Sequence, residues 1–87
     1  MPSCCLYPIL AVSENESGSM LYGFELALVT ERESGYQHSK YGFFTTEKKA
    51  WDKADELNSD MGIFTRERIY EIVGSSMDKQ LEEAENQ

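Results

Sequence analysis

Basic side chains are scarce in this sequence: 8 Lys and Arg stand against 16 Asp and Glu, for a net charge of −8 at pH 7. A protein that neutralises phosphate needs the opposite balance, so direct binding of DNA or RNA is not expected. Cysteine is confined to Cys4 and Cys5. These neighbours cannot close an unstrained loop with each other. Without C-x-x-C spacing, neither a zinc site nor a disulfide framework is indicated, and reduced thiols of a cytosolic protein fit best. The sequence also lacks a Gly-rich phosphate loop, an H-E-x-x-H pair and a Ca²⁺-loop spacing. Long apolar runs are missing too. Leu6–Val12 is too short to cross a bilayer, and with no basic residue before it, it makes a poor signal peptide.

What is present fits one small folded domain spanning residues 1–87. Apolar residues make up 40% of the chain and aromatics 11%, fractions too high for a disordered segment. A domain of this length buries only ~60–65% of its unfolded surface, so its core is thin. Leu6–Ser13 reads as a strand, and Pro8, which cannot donate to a ladder, places it at a sheet edge. Glu14–Ser19 reads as a turn. Met20–Thr30 alternates imperfectly, with Met20, Tyr22, Phe24, Leu26 and Leu28 on one side. A strand is the favoured reading there, with helix competing over Phe24–Arg32 because Glu, Leu and Ala form helices well. A second turn falls in Glu31–Lys40, and Tyr41–Phe44 supplies a third strand.

The second half changes period. Ala50, Ala54, Leu57 and Met61 recur every three or four residues, a single helical stripe. Thr46 suits its N-cap, and Gly62 its left-handed end, with Ile63 folding back towards Leu57. Thr65 opens a second helix, with Phe64 and Ile69 placed as a hydrophobic staple. Its inward face is Ile69, Ile72, Val73 and Ser76, and residues 82–87 are polar enough to fray. The fold class expected is α+β: a three-stranded antiparallel sheet followed by two helices packed on one face.

Catalysis finds little support. His38, the only histidine, sits in a loop beside Ser39, and adjacent side chains point apart. Cys5 has no basic neighbour in sequence to lower its pKa. The chain therefore reads as non-catalytic, with no cofactor. Its carboxylates are placed more informatively. On the second helix Glu67, Glu71, Asp78, Glu82 and Glu85 fall within about 60° of one another at 100° per residue. On the first, Asp52, Glu56 and Asp60 form a second stripe opposite the apolar one. Like charges four residues apart destabilise a helix by roughly 0.2–0.5 kcal/mol per pair, and four such pairs occur (52/56, 56/60, 67/71, 78/82). An open row of carboxylates lacks the converging geometry of a cation cage, so a partner-binding surface is the better reading. The aromatics offer another: Tyr36, Tyr41 and Phe43 are candidates for self-association through an open sheet face.

Phe43-Phe44-Thr45-Thr46-Glu47-Lys48-Lys49-Ala50, Leu57-Asn58, Gly62-Ile63 and Ile72-Val73-Gly74-Ser75-Ser76-Met77 resemble a pattern in small proteins of phages and other mobile elements. The resemblance implies inhibitors of host defence, anti-CRISPR proteins among them, acting in the cytoplasm of a bacterial host by occupying an effector's surface. The expected partner is a host protein or ribonucleoprotein complex with a basic surface, met by an acidic ridge that mimics DNA. No membrane contact is expected. The alternative is an oligomer-forming scaffold or ligand-sequestering protein, for instance a homodimer joined through the sheet's aromatic face. If the ridge binds, association weakens steeply with salt and charge reversal at Glu67, Glu71 and Asp78 abolishes it. Salt-insensitive binding by the reversed variant removes the DNA-mimic idea.

Overall fold

The computed structural model describes residues 3–31 and 36–85, with side chains described as far as Ser76. Strands β1 (Cys4–Glu14) and β2 (Met20–Thr30) pair antiparallel along their whole length, from Cys4 opposite Thr30 to Glu14 opposite Met20. The turn between them is tied by Asn15, whose Oδ1 accepts from the Ser17 and Ser19 backbone N–H groups at 3.1 and 2.9 Å. Gly18 completes it at φ 84°, a conformation glycine adopts without a Cβ penalty. The competition between strand and helix over Phe24–Arg32 is thus won by the strand, which runs to Thr30. A full-length ladder with β1 outweighs the modest helix propensity of Glu, Leu and Ala.

Two short strands complete the sheet on the far side of β2. Strand β3 (Tyr36–Gln37) pairs at Val29 and Leu28, and β4 (Phe43–Phe44) pairs at Glu25 and Phe24. The third strand expected at Tyr41–Phe44 is therefore shorter, and the polar stretch before it supplies a pairing of its own. Helices α1 (Glu47–Asp60) and α2 (Arg66–Glu85) follow. The Thr46 side chain accepts from Lys49 N–H as N-cap, and Thr65 Oγ1 accepts from Arg68 N–H at the start of α2. The class is the expected one, an antiparallel sheet followed by two helices. The fraying expected over 82–87 concerns residues whose side chains lie outside the described ones.

Burial shows how the helices cover the sheet. The register pairs odd positions of β1 with odd positions of β2, so these side chains share one face. Helix α2 lies on that face. Cys5 Sγ sits 4.0 Å from the Ile69 carbonyl, and Arg68 reaches Ser3 and Glu31. Leu6 and Leu26 point the other way, yet are as fully buried as Cys5 and Ala27. Consecutive buried residues in a strand require cover on both faces. Helix α1 supplies the second cover, with Ala50 and Ala54 buried in the same core as Leu6 and Leu26. The two helices flank the sheet instead of lying side by side on one face, because β1 and β2 are apolar on both sides.

One side chain locks α1 to the edge of β1. Asn58 is fully buried. Its Oδ1 accepts from the Leu6 N–H at 2.6 Å, and its Nδ2 donates to the Leu6 carbonyl at 3.0 Å. The carboxamide therefore acts as a one-residue substitute for a neighbouring strand. Its own backbone carbonyl accepts from Met61 and Ile63 N–H, closing the helix, with Gly62 at φ 84°. Because both Leu6 backbone groups point away from β2, those of Pro8, Leu10, Val12 and Glu14 do so as well. Pro8 thus occupies a position whose missing N–H the ladder never needed, as its edge placement predicted.

Beyond Asn58, aromatic rings close the same edge. Tyr7, Trp51 and Tyr70 meet edge to face at centroid distances of 5.5, 6.5 and 6.1 Å. The Arg66 guanidinium lies 4.3 Å above the Trp51 ring and pairs with Asp55 at 3.2 Å. Replacing Asn58 by Ala leaves two buried backbone groups without partners, each costing ~1–3 kcal/mol. Urea unfolding of Asn58→Ala is expected to show a loss of about 3 kcal/mol, and a loss no larger than that of a surface substitution contradicts the assignment.

Candidate functional site

Three surfaces and one buried thiol are the candidates, and each is set by the strand and helix geometry above. The acidic stripes come first. Because α1 and α2 flank the sheet, their outward faces look to opposite sides, and the structure does not merge the two stripes into one surface. Asp52, Glu56, Asp60, Glu67 and Glu71 are all exposed, as expected for a stripe facing solvent. Several have local cations that the charge spacing alone had left out of account. Lys48 pairs with Asp52 at 2.9 Å, Lys53 with Glu56 at 3.3 Å, and Arg68 with Glu71 at 3.0 Å. These partners offset the i,i+4 repulsion, though each exposed pair contributes only ~0–1 kcal/mol. The side chains of Asp78, Glu82 and Glu85 lie outside the described residues.

Arg68 is better read as structural than as part of a binding ridge. Besides Glu71 it donates to Ser3 Oγ at 2.9 Å and to Glu31 Oε2 at 3.0 Å. It thereby clasps the start of β1 and the end of β2, which are already joined by the Glu31 N–H to Ser3 carbonyl bond at 2.7 Å. The hydrogen bond it donates to Glu71, reinforced by Glu31, raises its pKa above the usual arginine value.

The aromatic candidates are dispersed. Tyr36 is half-buried against the core, where burial and then Tyr7 raise its pKa. Phe43 is half-buried over Gly23, where an added Cβ would lie 2.6 Å from the ring and 2.4 Å from the Phe44 carbonyl. Tyr41 is exposed in the loop before β4. Nearby, His38 pairs with Glu25 in a half-exposed contact. It has no nucleophile beside it among the contacts described, and it behaves as a surface tether between its loop and β2.

The most prominent surface is one that the aromatic count did not single out. Past Phe24 the β1–β2 hairpin extends beyond both helices. Leu10, Val12, Met20 and Tyr22 all occupy even positions, so they share one face. They are exposed by 81, 47, 56 and 74%. Their combined area is on the order of a few hundred Å², the size at which a patch on a monomer is often functional. Alternation in Met20–Leu28 did point to this row. Which part of the row is covered is not legible there, however, because the strand's reach beyond the helices is invisible in the sequence.

A groove of about 320 Å³ lies between the end of α1 and the start of α2, bounded by Asp55, Ser59, Phe64 and Arg66. Phe64, cast as a staple residue, is 77% exposed on its rim. The Arg66–Asp55 pair spans the groove, so its charges are already matched. Among the described residues no group of three His, Cys, Asp or Glu side chains converges as a metal site. No described helix is long and apolar enough to cross a membrane.

Cys5 is fully buried beneath α2. Burial, and secondarily the adjacent Cys4, push its thiol up to about 11, while Arg68 acts in the opposite direction. At neutral pH it is a protonated core residue and not a nucleophile. No family model matches the chain, and no curated protein or solved structure is significantly similar to it.

A testable consequence concerns alkaline pH. The folded state disfavours the Cys5 thiolate, so its pKa is higher folded than unfolded. The stability this contributes is whole below the unfolded value of about 9 and is lost as pH rises through about 11. Urea midpoints are therefore expected to hold steady up to pH 9 and fall above it, with a shallower fall for Cys5→Val. Tyr36, shifted in the same direction, keeps part of the slope above pH 10 in that variant. Identical profiles for the two proteins contradict the assignment.

Proposed function

We propose that this chain is a non-catalytic protein-binding module whose binding surface is the outer half of the β1–β2 hairpin. One observation carries the reading. Leu10, Val12, Met20 and Tyr22 stand exposed on a single sheet face that neither helix covers. Holding this row in water opposes stability, since burial of apolar area is worth ~25 cal/mol per Å². A partner surface that covers it gains that energy, and an exposed tyrosine supplies the amphipathic anchor common in such interfaces. The backbone behind the row is already paired as far as Glu14 and Met20, which lowers the entropic cost of association.

A second reading rests on a different observation. Asp60 and Glu67 are exposed carboxylates with no cation partner among the described residues. They support the sequence-based expectation of an inhibitor that covers a basic, nucleic-acid-handling surface, with α2 as the contacting element. The two readings separate in one experiment. Capture of partners by the tagged chain is compared for wild type, Leu10→Ser/Tyr22→Ser, and Glu67→Lys/Glu71→Lys, at low and high salt. The hairpin reading expects capture to fall at least ~10-fold for the serine variant and to change little with salt, a 1.4 kcal/mol effect or more. Loss confined to the lysine variant and to high salt supports the acidic helix instead.

A further inference from the structure

The outer half of the hairpin offers more than an apolar face, because its β1 edge is also open. Alternation sends the backbone N–H and C=O groups of Leu6, Pro8, Leu10, Val12 and Glu14 away from β2. Asn58 satisfies Leu6, and Pro8 is buried and has no N–H to donate. Leu10, Val12 and Glu14 remain, and their N–H groups meet no acceptor among the described residues. An edge of this kind is a template for another strand. The first half of β1 is protected by an asparagine and a proline, and the second half carries no such guard.

We infer that a second copy of this chain pairs with that edge, β1 against β1 in antiparallel register about a two-fold axis at Val12. The inference rests on the hairpin being a binding surface and names its occupant. The open stretch runs from Leu10 to Glu14, and its midpoint is Val12. In the register centred there, Val12 faces Val12 of the second copy, and Leu10 faces Glu14 at either side. Every outward-pointing residue of one copy then meets an outward-pointing residue of the other, so the unpaired backbone groups satisfy one another. Charge fits this arrangement as well. Although the chain carries −8, the only carboxylate in the stretch, Glu14, lies opposite an aliphatic side chain and never opposite another Glu14. Like charges directly across a ladder are destabilising, and this register has none.

The apolar face becomes continuous in the same step. Tyr22 lies beside Val12 within one copy, so pairing builds a row of Tyr22, Val12, Val12 and Tyr22 across the axis. Leu10 and Phe24 flank it on either side. β-Branched and aromatic neighbours of this kind stabilise a sheet by side-chain contact, which removes part of the exposure of Leu10 and Val12. The β2 edge is a weaker alternative, since β4 occupies it at Phe24 and leaves only Met20 and Tyr22.

The test uses the full chain. Sedimentation equilibrium over a wide concentration range is expected to show a reversible dimer. Val12→Pro removes an N–H that the hairpin's own ladder does not use, so far-UV circular dichroism is expected to stay unchanged while the dimer dissociates at least ~10-fold more readily. Hydrogen exchange supplies a readout independent of folding: the Leu10, Val12 and Glu14 amides are expected to be protected in concentrated solution and to lose protection on dilution. A dimer that survives Val12→Pro but is lost in Leu10→Ser/Tyr22→Ser overturns edge pairing while keeping the hairpin face as a binding surface. A strict monomer at every concentration, with those three amides unprotected, overturns the inference. Capture of partners through Leu10 and Tyr22 then stands or falls separately.

Discussion

A single carboxamide holds the molecule's layers in register. Asn58 satisfies both backbone groups of Leu6, and it does so where burial leaves no water to take its place. Unpaired, those groups would carry a desolvation penalty comparable to a sizeable share of the stability of a domain this small. The same residue ends α1 through its backbone carbonyl, so helix length and helix position are set together. The apolar contacts of Ala50 and Ala54 could be made with α1 shifted along its axis. The two hydrogen bonds of Asn58 could not.

From this anchor follows the division of the sheet into two halves. Where Asn58, the Tyr7–Trp51–Tyr70 rings and α2 gather, both faces and the edge of β1 are closed. Past Leu10 nothing in the described chain covers either the even-numbered face or the edge. The two long strands keep their ladder throughout, so the outer half is paired without being buried. One hairpin thereby carries core residues at its base and exposed residues of similar chemistry at its end. The thiol of Cys5 belongs to the closed half and serves packing.

Much of the architecture was legible in the sequence because local rules and tertiary structure agree. Thr46 caps α1 as its hydroxyl and position suggest, Gly62 takes the left-handed conformation, and Pro8 marks an edge. Of the expected stripe, Ala50, Ala54 and Leu57 do face the core, whereas Met61, past the last turn of α1, is 41% exposed. Phe64, expected to staple onto Ile69, instead stands 77% exposed on the rim of a groove, a place that a large apolar residue at that spacing can equally take. The role of Asn58 is not legible in the sequence, because a polar residue at the end of a helix ordinarily faces solvent, and only its partner 52 residues away explains its burial.

By itself, then, the sequence determined the element order, the caps and turns, the acidic balance and the scarcity of histidine and cysteine. These depend on neighbours close along the chain and on composition. The tertiary structure alone decided that the helices flank the sheet and that the acidic stripes consequently face opposite ways. It also decided that the row from Met20 to Leu28 is core at one end and surface at the other. The physical reason is common to all three. Periodicity reports which residues share a face, whereas cover for that face comes from elements distant in sequence, and their reach is set by packing.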